Sequence, residues 1–216
     1  MSTIHASTTM APTKLELLTD WLPRQPWYRD TGAAAQLSRA GGFRLDDPAG
    51  EVGIEFLLLT DAAGGGETTY LVPMTYRAAP LDGAAGALIG TSEHGVLGTR
   101  WIYDAAHDPV AVTQLLDFIR GRAEAQHQSR SDTLDPSVGR SWTSAGRLVA
   151  PEPLRVSETG SGRTTVAVER DGSPCSLELL RLPRAGAPAE EGLGQVEADW
   201  TGLGGPVSRG AVAVLR

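Results

Sequence analysis

The stretch Leu88–Asp108, LIGTSEHGVLGTRWIYDAAHD, holds the chain's one concentration of metal-ligand side chains: Glu93, His94, Asp104, His107 and Asp108. A metal would require three or four of them to converge at about 2.0–2.2 Å. Their spacing contains no HExxH or similar signature, so structural or solvated roles are expected and no metal is assigned. Asp108 has a specific role: an aspartate ahead of a proline predicts a helix start, its side chain accepting a free N–H while Pro109 takes the first helical position. Cys175 is the single cysteine, set beside Pro174 in an expected turn with no histidine near it in sequence, and reads as a small residue rather than a nucleophile. The serine-rich loops lack G-x-S-x-G, and Gly64-Gly65-Gly66 lacks the GK[ST] of a phosphate cradle. The pairs Asp46-Asp47 and Glu190-Glu191 fall in loops and are expected to be solvated charge. No catalytic residue and no cofactor site is assigned.

Trp27 and Tyr28 lie in a turn directly after a helix. They are expected to plug the edge of the core. The alternative is a platform on which a sugar ring stacks, since aromatic faces pack on apolar rings; with Trp101 they make the candidate ligand or partner surface.

The elements that position these residues follow from capping and periodicity. Thr13-Lys14-Leu15-Glu16 matches a capping box, Leu15, Leu18 and Leu22 share a face, and Pro23 ends the helix. Residues 31–50 read as turn-like, with a short strand at Phe43 and Leu45. Val52–Leu59 is apolar on both faces and predicts a central strand. Glu67–Tyr76 is a further strand, with Pro73 implying an edge position or a bulge. Val112, Leu115, Leu116 and Ile119 form the stripe of a second helix closed by Gly121. The polar segment 122–146 reads as a linker or long loop. Beyond it, five short β runs (154–157, 164–169, 176–182, 195–200 and 209–215) suggest an antiparallel sheet, with a hairpin turning at Asp171-Gly172.

Composition narrows the function classes. The chain has 216 residues, with 19 Lys+Arg against 26 Asp+Glu and a formal charge of −7, which argues against nucleic-acid backbone binding. No run approaches the roughly 20 apolar residues of a membrane span. A cytoplasmic protein is expected, and the single cysteine fits a reducing compartment.

The sequence resembles a known family. A helix, WLPRQPWY, a strand, YLVPMTY, and LIG…YDAAHDP before an amphipathic helix resemble the N-terminal cap domain of actinobacterial maltokinases and their relatives. The family pattern WLxxQRWY is met by Trp21, Leu22, Gln25, Trp27 and Tyr28, with Pro26 in place of the usual arginine. Past the linker, SGRTTVAVERDGSPCSLELLRL resembles the intermediate subdomain that forms the upper half of a kinase ATP site.

The resemblance implies an α+β fold of mostly antiparallel sheet with two packed helices. Residues 1–11, polar and small, read as a disordered terminus, and with the linker or long loop at 122–146 the resemblance implies a cap-like domain at 12–121 and a small kinase N-lobe-like β domain at 147–216. In that alignment the phosphate-holding lysine falls on Glu178, and the sequence carries no catalytic-loop or metal-binding aspartate of the kinase type, so ATP use and kinase activity are not expected. The expectation is a non-catalytic regulatory or scaffolding partner in trehalose, maltose 1-phosphate or α-glucan metabolism, acting on a protein partner or as a homo-oligomer. A carbohydrate- or small-ligand-binding module is the alternative. An enzyme such as a glucan-branching activity lacks the two carboxylates that glycosidic chemistry normally holds across a cleft.

Overall fold

Thr13 opens the first helix as its sequence predicts. The Thr13 hydroxyl accepts from Glu16 N–H at 3.3 Å and the Glu16 carboxylate accepts from Thr13 N–H at 2.7 Å, fixing α1 over Lys14–Trp21. Pro23 sits in the single 3₁₀ turn Leu22–Arg24 that follows. At α2, Pro109–Ile119, Asp108 accepts from Val110 N–H at 3.0 Å and Gly121 leaves the helix at φ 75°.

This computed structural model describes residues 10–130, 132–187 and 191–216. The expected disordered terminus falls mostly outside them, but Met10–Ala11 is ordered as strand β1 against a neighbouring strand. The remaining strands are β2 Leu37–Leu45, β3 Gly53–Asp61, β4 Thr68–Arg77, β5 Leu88–His94 and β6 Gly98–Asp104 before α2. After it come β7 Gln126–His127, β8 Gly139–Trp142, β9 Leu148–Val149, β10 Val156–Thr159, β11 Arg163–Arg170, β12 Ser173–Leu180, β13 Gly194–Thr201 and β14 Val207–Leu215. Every pairing among the described residues is antiparallel, in the order β1-β5-β6-β4-β3-β2-β13-β14-β12-β11-β10. The chain is therefore α+β, mostly antiparallel sheet with two helices.

β3 is a central strand because both its faces are buried. Leu57 and Leu59 meet α1, Trp27, Tyr70 and Val72 on one side, while Ile54, Phe56 and Leu58 meet α2 and Phe43 on the other. Pro73 is tolerated in β4 because β6 pairs only from Met74 onward, so the missing N–H leaves no ladder partner bare there. The expected short strand at 43–45 runs the full length of β2. Gly41 makes this possible: a Cβ there would stand 2.8 Å from the Asp199 carbonyl of β13. Segment 122–146, read as a linker or loop, contributes β7 to β2 and β8 to β13. The Asp171-Gly172 turn closes β11 on β12 with both residues at positive φ, 50° and 78°, the geometry of a tight hairpin.

Two junctions join β1–β6 to β10–β14 across the sheet. One is the single β2–β13 pair Gly41 and Trp200. At the other, Leu71 N–H donates to the Arg181 carbonyl at 2.9 Å, filling the place beside β4 that β6 does not reach. The α2-centred core draws side chains from both sides, including Phe56, Leu115, Val166, Leu177 and Val196.

Candidate functional site

β12 carries the apolar run Leu177, Leu179 and Leu180, and Arg181, the residue directly after it, is fully buried. A buried guanidinium is costly unless its donors are met. Arg181 Nη2 donates to Asp104 Oδ2 at 2.6 Å, Nε donates to Thr164 Oγ1 at 2.7 Å, and the plane lies 4.9 Å over the Trp27 ring. Asp104 comes from the end of β6, so this ion pair ties β6 to the β11–β12 hairpin. Nη1 finds no hydrogen-bond partner among the described residues, and full burial closes Arg181 to ligands.

Beyond Arg181 the chain emerges, and the next basic residue faces a cleft. Arg29, Arg163, Arg184 and Arg216 line a cavity of about 610 Å³, within the usual size of small-molecule sites. Each is set by a different element: Arg163 opens β11, Arg216 follows β14, Arg184 follows β12, and Arg29 is fixed by its N–H donating to the Tyr70 hydroxyl at 3.0 Å. Behind this wall Glu178 accepts from Arg163 Nη1 at 2.6 Å and lies 3.2 Å from Arg216 Nε. The main chain of Arg216 is itself locked to Ser176 by reciprocal hydrogen bonds of 2.8 and 2.9 Å. A second cavity of about 380 Å³ adjoins the first, sharing Arg29, Leu182 and Arg184 and adding Thr68, Thr69 and Ser208.

A second carboxylate centre lies under α1. Glu55 of β3 is buried and accepts from Lys14 Nζ at 2.7 Å, the Tyr76 hydroxyl at 2.6 Å and Gln128 Nε2 at 3.0 Å. Burial pushes its carboxyl up, but the charge and hydrogen bonds of Lys14, the Tyr76 hydroxyl and the charge of Arg39 outweigh it and hold the group below the ordinary glutamate range. The same burial and the Glu55 charge push the Tyr76 hydroxyl well up. All of Glu55's partners come from the chain itself, so it braces α1 against the sheet.

The residues singled out from sequence fall in several places. Trp27 is 1% exposed, wedged against Trp21 and Tyr70, so it offers no face to a ring. Tyr28 stacks on Tyr70 at 5.6 Å and donates to Asp61 Oδ2 at 2.8 Å. Burial, then the hydrogen bond and charge of Asp61, push its hydroxyl above the ordinary tyrosine range. Trp101 packs elsewhere, with Tyr103, Ala84 and Ala87, so the three aromatics form no common surface. Among the described residues no group of acidic, histidine or cysteine side chains is placed to hold a metal. Asp104 and Asp108 are instead paired with Arg181 and Arg77, the latter bidentate at 2.6 and 2.7 Å. Asp47 is not the solvated charge expected of it: it is buried and accepts from the N–H groups of Ala49, Glu51 and Val52. Cys175 is half-buried within β12, opposite Val168, rather than in a turn. Glu190 lies outside the described residues.

Residues 21–108 match the sequence profile of the maltokinase N-terminal cap domain family. This stretch belongs to that family. The matched stretch runs from the last residue of α1 to the N-cap of α2, and it supplies Arg29, Glu67, Thr68 and Thr69 to the paired cavities. The other walls lie outside it. No curated protein matches the chain. No helix among the described residues is long and apolar enough to cross a membrane.

Arg29, Arg184 and Arg181 were not singled out from the sequence. The available signal was LELLRL, where an arginine interrupts a run otherwise facing the core. A buried partner for it could not be named, because Asp104 is 77 positions away.

Proposed function

We propose that the chain is a non-catalytic cap-family protein, a regulatory or scaffolding partner of trehalose, maltose 1-phosphate or α-glucan metabolism. In this reading the strands that follow β8 form a kinase N-lobe-like unit that does not use ATP. The observation that carries it is Glu178. At the position where the resemblance places a phosphate-holding lysine stands a carboxylate already engaged by Arg163 and Arg216. Phosphoryl transfer depends on a cation at that position to hold the triphosphate, and a paired carboxylate offers no such contact.

The test is incubation of pure protein with ATP, Mg²⁺ and maltose or glucosamine. No turnover above contaminant level is expected, and steady turnover abolished by Glu178→Ala would overturn the reading. For the partner, pull-down from an actinobacterial lysate is expected to enrich a trehalose- or glucan-processing enzyme. A stable, unrelated partner with none of these enzymes would reject that part. Small-ligand binding is the second reading, favoured by the arginine-lined cavity.

A further inference from the structure

We propose that the paired cavities bind a phosphate monoester of a sugar, the phosphate in the arginine cleft and the hydroxylated body in the adjoining cavity. The inference rests on the reading that this is a binding and not a reaction site. The protein is acidic overall, yet the larger cavity gathers four guanidinium groups from four separate segments. Two carboxylates accompany them among the described residues, Glu178 behind the wall and Glu191 in it. Such an excess of fixed positive charge in a concave, partly desolvated site favours a small dianion, and guanidinium forks match phosphate oxygens bidentately.

Two of the four arginines suit a ligand best. Arg29 and Arg184 are exposed, and neither side chain has an ion-pair partner among the described residues. They also stand at the boundary of both cavities, so a phosphate held there places its ester group at the mouth of the second. That cavity presents neutral hydroxyls, Thr68, Thr69 and Ser208, beside the Glu67 carboxylate, which already accepts from Leu203 N–H at 3.1 Å. Hydroxyl donors and acceptors around one carboxylate suit a polyol rather than a second phosphate. A triphosphate would bring further negative charge against Glu67, so a monoester is the better fit.

Isothermal titration with glucose 1-phosphate, inorganic phosphate, glucose and ATP tests this. Glucose 1-phosphate is expected to bind at least tenfold more tightly than each of the other three, and more weakly as salt rises. Arg29→Ala and Arg184→Ala should each weaken it tenfold or more with unchanged circular dichroism and Tm, while Arg184→Lys should retain part of the affinity. Binding that survives both alanine variants overturns the site. Tighter ATP, or inorganic phosphate equal to glucose 1-phosphate, overturns the assigned ligand class. Phosphoryl transfer with intact glucose 1-phosphate binding would sink the non-catalytic reading alone, so the two failures are distinct.

Discussion

Arg181 and Arg184 leave the same strand end, and one is sealed in the seam between the halves while the other opens into solvent. Arg181 meets a carboxylate, a hydroxyl and an indole face within the chain. Among the described residues the Arg184 side chain meets none of these, and it lines both cavities instead. The same side chain thus serves the fold where partners and burial coincide, and is available to a ligand where they do not. The difference lies in Leu182 and Pro183, over which the chain turns from core to cleft.

Breaking the seam should produce the largest effect. Asp104→Ala removes the close counter-charge of a buried guanidinium and leaves only Glu158, 3.8 Å away and partly exposed, and chemical denaturation is expected to show a loss of about 3–5 kcal/mol with unchanged slope. The double change Asp104→Leu with Arg181→Met should recover at least half of that, because an apolar pair carries no desolvation penalty. A loss below about 1 kcal/mol from Asp104→Ala would show that the seam does not depend on this pair.

Glu55 sharpens the comparison from within the cap. Glu55→Gln keeps the shape but loses the charge toward Lys14, and a loss of about 2 kcal/mol is expected at pH 7. Because the folded carboxyl lies below its unfolded value of 4.5, its contribution is present above that pH and is lost as pH falls through the folded value. Acid denaturation of the wild type should therefore steepen below about pH 4.5, and the glutamine variant should show a shallower decline over the same window.

At the cleft the order reverses, with small effects on stability and large ones on binding. Glu178→Ala should cost about 1 kcal/mol or less, its side chain being partly exposed between two arginines. Arg184→Ala should change stability by no more than about 0.5 kcal/mol. If thermal unfolding instead ranks Arg184→Ala beside Asp104→Ala, the contrast between the two arginines fails.

Both helices are legible in sequence, because capping box, Asp-Pro start, Pro23 and Gly121 are local signals. So are β3, through its apolar run, and the hairpin at Asp171-Gly172. The hairpin of β5 and β6 is not: its alternation is weak, and its acidic and histidine residues read as candidate ligands. β2 reads as a turn because Gly41 and Gly42 show no strand signal without β13 lying against them. Trp27 shows the limit for aromatics, since nothing in WLPRQPWY says that an arginine 154 positions later covers its face. The arginine cleft is hidden for the same reason: its four members are spread from Arg29 to Arg216, and only the closed sheet brings them together.

The single pair Gly41 and Trp200 gives the molecule a further property. A long ladder would bind the two halves to one shared register, so that an insertion in either would have to be matched in the other. One rung imposes no such bookkeeping. Strand lengths and loops away from the Gly41 and Leu71 junctions and the shared core can drift in each half without disturbing a common register. Joining the first half to a different companion sheet would mean preserving the Gly41 approach, the Leu71–Arg181 hydrogen bond, the Asp104–Arg181 pair and the shared core around α2.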